Sequence, residues 1–456
     1  MEDLKRYAKE NQARHMEELM SLLRIPSVST DPARAGDVRE AGEWVLQNLR
    51  GMGLEAELCE TGGHPIVYAE WLGAGEGAPT VLVYGHYDVQ PPDPLELWET
   101  GPFEPTIRDG KLFARGATDD KGQMFAHLKG VEAHLKVRGK LPINVKFMIE
   151  GEEEVGSKHL AEWVEANKAR LACDAVVISD TSMFAPGVPA IVYGLRGLTY
   201  FQLDIEGPGH DLHSGLYGGA VANPINTLCE VIGKLKDADG RVTVAGFYDN
   251  VRALTEAERS AWAKLPHDDE GLRREVGAER LTGEAGYTSL ERCWGRPTLD
   301  CNGIWGGFTG EGAKTVLPSK ASAKFSCRLV PDQTPEEVED KVEAHLREII
   351  PTTVRWKLHR MHGGRPVIVD TEGPAVQAAR AALAEAFGAE AVFIRGGGSI
   401  PVVADFTEIL GAPVVLMGFG LNDDRLHSPN EKINLECFYG GIVAASLFHD
   451  AYAKQK

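Results

Sequence analysis

The sequence predicts an α/β protein interrupted by a smaller inserted β-α-β-β-α-β domain. Two changes of pattern carry that expectation. Short apolar runs alternate with helical stretches up to about Gly197, which is the signature of a sheet covered on both faces. A strand of alternating polarity then opens a second regime, and the first returns after Gly363-Gly364-Arg365-Pro366. The division expected from these changes is 1–196 and 365–456 as the two parts of one α/β domain, with 197–364 inserted between them.

Taken in order, Leu4, Tyr7, Met16, Leu19, Met20 and Leu23 form a sparse helical stripe over Leu4–Leu23. A second helix carries Trp44, Val45, Leu46 and Leu49 and stops at Gly51 and Gly53, residues suited to a helix C-terminus. Ile66–Trp71, Val81–Tyr84, Val145–Glu150 and Ala175–Ser179 read as strands, and Lys121–Val137 and Ser157–Lys168 as helices. In the insertion, Thr199–Glu206, Thr298–Gly303, Lys320–Leu329 and Val354–Arg360 read as strands, with helices at Pro224–Leu235 and Pro335–Ile350. That order is a ferredoxin-like split unit. A polar, helix-leaning segment from Asp237 to Arg296 separates its first helix from its second strand. The closing α/β part reads as helix Pro374–Phe387, strands Val392–Ile394 and Val414–Met417, and a final helix at Leu435–Tyr452.

Composition narrows the function. The 456 residues are 43% hydrophobic and 25% charged, ordinary for a globular chain. With 48 Lys and Arg against 67 Asp and Glu the net charge is −19, which repels phosphate backbones and anionic lipid. No nucleic-acid or membrane partner is therefore expected. The seven cysteines are scattered without a C-x-x-C, which disfavours a disulfide framework or cysteine zinc site and suits a reducing compartment. No run approaches the ~18 apolar residues of a membrane helix. The charged N-terminus lacks a signal-peptide core, so a cytoplasmic location is expected.

Chemistry-bearing residues gather where strands end. Val81–Tyr84 runs into Gly85-His86-Tyr87-Asp88, a potential ligand with an orienting carboxylate. Asp119 and Asp120 open a helix, where caps are the simpler reading. Glu152-Glu153-Glu154 follows the next strand; the three carboxylates repel one another unless a cation or proton compensates, although an acidic turn in water is the plain alternative. Asp180 ends a further strand, and His427 lies in a loop after Val414–Met417. Each cluster alone reads more simply as a polar loop, a cap or a solvated turn. Together they set His, Asp, Glu, Asp and His at one sheet edge, a donor set suited to a pair of borderline divalent cations, with a spare Glu as base.

The motifs GHYDV, RGATDDKG, EGEEEVGS, the ISD ending in Asp180, GHDLHSG and HSPNEK occur in order across nearly the whole chain. In this the sequence resembles the M20 family of co-catalytic zinc peptidases, and within it the cytosolic nonspecific dipeptidase and carnosinase group. The resemblance implies a zinc-peptidase-like α/β catalytic domain with the ferredoxin-like insertion as a lid and dimerisation domain. It implies that His86 and Asp180 hold one metal, Glu154 and His427 the other, and that Asp119 bridges both. Asp88 would orient His86. Setting Val155-Gly156-Ser157 on the family's E-E-x-G-S pattern makes Glu153 the base acting on a metal-bridging water, with Glu152 a bystander. Asp120 would be a bystander too, with its helix-cap role intact.

The resemblance further implies that His213 reaches into the partner subunit's site of a homodimer and helps to polarise the scissile carbonyl. Thr315, Arg328, Gly398 and Ser399 would bind the substrate's carboxylate end. Two divalent cations per subunit are expected, zinc first, with manganese or cobalt as alternatives. The expected reaction is hydrolysis of dipeptides or similar small peptides. N-acyl amino acid deacylation and glutamate-type carboxypeptidase activity are the alternatives; Asp180 disfavours the deacylases, which generally carry Glu there. A catalytically dead binding module would have lost a ligand or the base, and every such position is intact.

Overall fold

The structure is a computed structural model that describes residues 1–398 and 400–455. The chain forms two compact units, Met1–Tyr193 with Val369–Ile394 and Val402–Lys456, and Gly194–Ile368 with Arg395–Pro401. No helix among the described residues is long and apolar enough to cross a membrane.

The first unit is built on a mixed sheet that runs in the order Glu55–Cys59, Ile66–Trp71, Asn144–Glu150, Thr80–His86, Ala175–Ile178, Val414–Leu416, Ala190–Leu195. Thr80–His86 pairs in parallel with both Asn144–Glu150 and Ala175–Ile178, and Val414–Leu416 is parallel to Ala175–Ile178. These strands are buried nearly throughout, which is why they appear in the sequence as short, mostly apolar runs. The chain leaves the central strand for a neighbour on one side and returns on the other. Such a switch point is where open α/β sheets bind ligands, beyond the strands' C-terminal ends.

The helices differ from expectation in two places. The stripe at Leu4–Leu23 is two helices, Glu2–Glu10 and Gln12–Leu23, separated at Asn11, whose side chain turns back to the Tyr7 carbonyl at 2.9 Å. Ser157–Lys168 is shorter: Ser157 has φ 47, and the helix is Leu160–Ala166, followed by a turn at Lys168–Leu171. Lys121–Arg138 is buried for most of its length and ends on Gly139 in the left-handed region. At its start the buried Lys121 ammonium donates to the carbonyls of Ile25 (2.7 Å) and Leu22 (3.2 Å), so it satisfies the end of Gln12–Leu23. Burial brings the Lys121 pKa down to about 7.

The second unit carries a four-stranded antiparallel sheet in the order Thr298–Gly306, Lys320–Leu329, Gly197–Glu206, Arg355–Gly364, the strand order of a ferredoxin-like fold. Gly197–Glu206 alternates buried and half-buried residues along its length. Phe201, Leu203 and Ile205 pack with Phe325, Leu228, Val231, Val338 and Val342 from the facing strand and the two helices, Pro224–Lys234 and Pro335–Ile349. The Phe201 and Phe325 rings stack at 4.9 Å. The segment 237–296 contributes the short helices Glu256–Trp262, Asp269–Glu275 and Ser289–Gly295.

Candidate metal centre

The first unit brings His86, Asp119, Asp180, Glu154 and His427 together. His86, Asp119 and Asp180 each offer one ligand atom within 4.8 Å of the others, and Asp119, Glu154 and His427 do the same. His86 ends its strand, and Asp180 follows the neighbouring strand by two residues. Asp119 precedes the buried helix, and Glu154 lies in the turn Glu153–Val155 after Asn144–Glu150. Asp119 uses its two oxygens separately: Oδ1 is 3.2 Å from His86 Nε2, and Oδ2 is 3.0 Å from His427 Nε2. Asp180 lies 3.9 Å from His86 Nε2 and Glu154 lies 3.4 Å from His427 Nε2.

The donor set fits divalent cations. Among the described residues the Nε2 atom of fully buried His86 has no hydrogen-bond partner, although it points into a nest of carboxylates. Burial and the charge of Asp119 push Asp180 up to about 8 and Glu154 up to about 10. Burial also lifts Glu153 to about 7, with Asp119 and Asp88 adding to it. Asp119 goes the other way: against the upward push of burial, the His427 and His86 rings at its two oxygens hold its carboxyl below the usual range. Crowded acids held away from water are relieved by positive charge, and neutral imidazole with carboxylate is a ligand set for zinc or manganese.

Asp88 organises the floor of the site. It is fully buried, accepts from Ser29 Oγ at 2.6 Å and from the backbone N–H groups of Glu153 (3.3 Å) and Glu154 (3.1 Å), and stands 3.4 Å from His86 Nδ1. The His86 Nδ1 atom also meets the Asp88 carbonyl at 3.1 Å, so its outer nitrogen is left for a ligand. Glu152 is turned elsewhere, with Oε2 at 2.8 Å from His159 Nδ1.

Asp120 does not cap the helix, contrary to expectation. Its side chain makes no capping bond; instead Oδ2 accepts the His86 backbone N–H at 3.2 Å. A side chain at Gly85 would meet that same oxygen at 2.7 Å, which accounts for the glycine before His86. Burial, with Asp180 and Asp119 nearby, raises the Asp120 pKa well above its usual value.

Three supporting residues have no role in the sequence reading. Gln90 donates to Glu154 Oε2 at 2.7 Å, and Ser29 holds Asp88. Glu431, fully buried, accepts from the backbone N–H groups of Gly116 (3.0 Å), Thr118 (3.0 Å) and Asp119 (3.1 Å) and from Arg115 Nη1 (2.7 Å). Its signal was an opposite charge in each of two quoted motifs, RGATDDKG and HSPNEK. Glu431 also fastens the His427 loop, in which Arg425, His427 and Asn430 take positive φ, at about 1–3 kcal/mol each. Asn430 secures the same loop through Glu99 N (2.9 Å) and the Leu97 carbonyl (2.8 Å). Glu431→Ala would leave Arg115 buried and unpaired and three N–H groups unsatisfied. Its unfolding free energy is expected to fall by about 3–5 kcal/mol, read by urea denaturation; a loss under 1 kcal/mol would contradict this account.

His213, Thr315, Arg328 and Gly398 belong to the second unit, and Ser399 lies outside the described residues. His213 and Val316 are register partners in a two-residue ribbon, and Ser214 N donates to the Thr315 carbonyl at 3.0 Å. His213 is exposed, and its Nδ1 accepts from Gly215 N at 3.0 Å, so the neutral ring carries its proton on Nε2. Arg328 is half-buried on Lys320–Leu329, and burial lowers its pKa.

The family model of peptidase family M20/M25/M40 matches residues 82–449. The Cys-Gly metallodipeptidase of Schizosaccharomyces pombe is 36% identical over 92% of this chain and 91% of its own length. The human Beta-Ala-His dipeptidase is 39% identical over 84% of this chain and 76% of its own. Among solved structures, human carnosine dipeptidase 1 superposes with a TM-score of 0.86 at 34% identity, covering 99% of this chain and 98% of that one. With these five side chains gathered and relatives aligned along three quarters or more of their own lengths, the chain is a metallopeptidase belonging to family M20/M25/M40.

Proposed function

We propose that the protein is a dipeptidase that works with two divalent cations, zinc in the first instance. One observation carries the reading: a single buried carboxylate, Asp119, presents one oxygen to His86 and the other to His427. His86 and Asp180 would hold one cation and Glu154 and His427 the other, with Asp119 common to both. When bound, such a pair supplies Lewis acidity at the substrate carbonyl and makes water a stronger acid. Glu153 takes the proton from the attacking water and returns it to the leaving amine. Asp88 keeps His86 in one tautomer, and its grip on the Glu153 and Glu154 amides fixes where the base stands.

Thr315, Arg328, Gly398 and Ser399 are assigned to the substrate's carboxylate end, for which the planar guanidinium of Arg328 is suited. The His213 Nε2–H is a donor for the scissile carbonyl oxygen in the partner subunit of a homodimer. Support for self-association comes from the edge strand Thr298–Gly306, where Ile304 is 52% and Trp305 47% exposed, with Phe308 at 45% just beyond. Seven free cysteines suit a reducing cytoplasm.

The test is a hydrolysis panel of Cys-Gly, β-Ala-His and other dipeptides beside N-acetyl amino acids, with zinc, manganese or chelator. Dipeptides are expected to be cleaved and chelator to abolish cleavage; faster turnover of the N-acetyl compounds would sink the dipeptidase reading. For the shared site, His213→Ala is expected to lower kcat by about 10²–10³ at unchanged metal content. Mixed with an inactive Glu153→Ala protein, it should recover about a quarter of wild-type activity, because each heterodimer has one complete site. A mixture that stays inactive, with heterodimers verified by mass spectrometry, refutes the arrangement in trans.

A further inference from the structure

The segment 237–296 holds the glycine loop that follows Arg395. Thr255 and Glu258 form a capping box at the start of Glu256–Trp262: Thr255 Oγ1 accepts from Glu258 N (3.1 Å), while Glu258 Oε2 accepts from Thr255 N (2.9 Å) and Thr255 Oγ1 (2.9 Å). One carboxylate oxygen is thereby committed to the helix. The other, Oε1, accepts from Arg395 Nη2. Arg395 is 3% exposed, and its guanidinium sits 5.6 Å over the Trp262 ring, which in turn meets Trp294 edge-on at 5.2 Å. A buried arginine is thus gripped by a carboxylate and an aromatic ring from one short helix.

Beyond Arg395 come Gly396, Gly397 and Gly398. The carbonyls of the first two are held by a second arginine: Arg196 N donates to Gly396 O at 3.3 Å and Arg196 Nε to Gly397 O at 3.0 Å. A side chain at Gly397 would crowd Arg196 Nη2 at 3.2 Å and the Cys293 carbonyl, on Ser289–Gly295, at 3.4 Å. Three consecutive glycines have the greatest conformational freedom a chain can have, so a backbone meant to receive an anion needs outside anchors. Buried ion pairs add little stability and serve best to fix one arrangement.

We propose that Glu258 is a positioning residue for substrate recognition: through Arg395 it fixes the backbone of Gly396–Gly398, the loop that receives the substrate's carboxylate. The inference rests on the reading of Gly398 given under the proposed function. It assigns the helical segment 237–296 a part in substrate selection rather than in bond cleavage.

Glu258→Gln keeps the shape of the side chain and removes its charge. Two readouts on the full-length, metal-loaded protein separate this inference from the reading beneath it. The first is hydrogen exchange at Gly396–Gly398, expected to quicken at least about tenfold in the variant. The second compares a dipeptide with its C-terminal amide. KM for the dipeptide is expected to rise about tenfold with kcat within about twofold, and KM for the amide to stay unchanged. Unaltered exchange and unaltered KM in Glu258→Gln overturn the proposal. A wild-type enzyme that does not distinguish dipeptide from amide overturns the carboxylate reading of Gly398 instead, and the anchoring of the loop is then judged on exchange alone. Should Glu258→Gln not fold, the pair Glu258→Leu with Arg395→Met removes both charges at similar volume, and the same two readouts decide.

Discussion

Glu153→Gln is expected to lower kcat by about 10²–10⁴ while both cations stay bound, the range a positioned general base contributes. The side chain is not among the grouped ligand atoms, which belong to His86, Asp119 and Asp180 in one group and to Asp119, Glu154 and His427 in the other. Its neighbours in the acidic turn are committed: Glu152 to His159, and Glu154 to Gln90 and His427. Glu153 is held by its backbone N–H on Asp88, and its carboxylate stands outside both ligand groups. Glutamine preserves the shape and removes the basicity, so KM should barely move, the mark of an interaction made only in the transition state. Elemental analysis and steady-state kinetics on the same preparation give both halves. Near-normal kcat in Glu153→Gln together with a dead Glu152→Gln would move the base one residue back.

How much of this was legible in the sequence depends on the range of the interaction. The central strands were legible because each is buried on both faces and is mostly apolar, Lys146 being the one charge inside the run Val145–Ile149. The second unit was legible for the opposite reason: Gly197–Glu206 alternates because its two faces meet different surroundings. Glu55–Cys59 was missed because an edge strand of exposed and half-buried residues carries neither signature. The ribbon of Leu212–His213 with Val316–Leu317 is too short to show any period. Five ligand positions could be named because the resemblance fixes them one by one. The residues behind them could not: Glu431 lies 312 positions from the Asp119 amide it holds, and Glu258 lies 137 from Arg395. No local pattern records such a pairing. Asp120 shows a local rule overridden, since two acids at a helix start predict a cap and burial beside His86 claimed the side chain instead.

That displacement sharpens the second large effect, which separates Asp119 from its neighbour. Asp119→Ala is expected to bind neither cation. Without the common carboxylate only His86 and Asp180 remain for one ion and Glu154 and His427 for the other, below the three protein ligands a catalytic zinc site ordinarily keeps. Burial aggravates the loss, because the remaining acids then stand beside one another with no cation between them and are driven to protonate. Asp120→Ala removes no ligand. It frees the His86 backbone N–H and so should weaken the ion at His86 by about 10–100-fold, as loss of a ligand's support does, and leave the ion at His427 in place. The helix beginning at Lys121 should be unaffected, since the aspartate makes no capping bond to it. Metal content after dialysis is therefore expected to be near zero for Asp119→Ala and near one per subunit for Asp120→Ala at limiting zinc. The rise in Tm on adding zinc should vanish in the first and persist in the second. Equal loss of both ions in the two variants would show that the two aspartates act as a pair, and Asp119 could then no longer be singled out as the bridge.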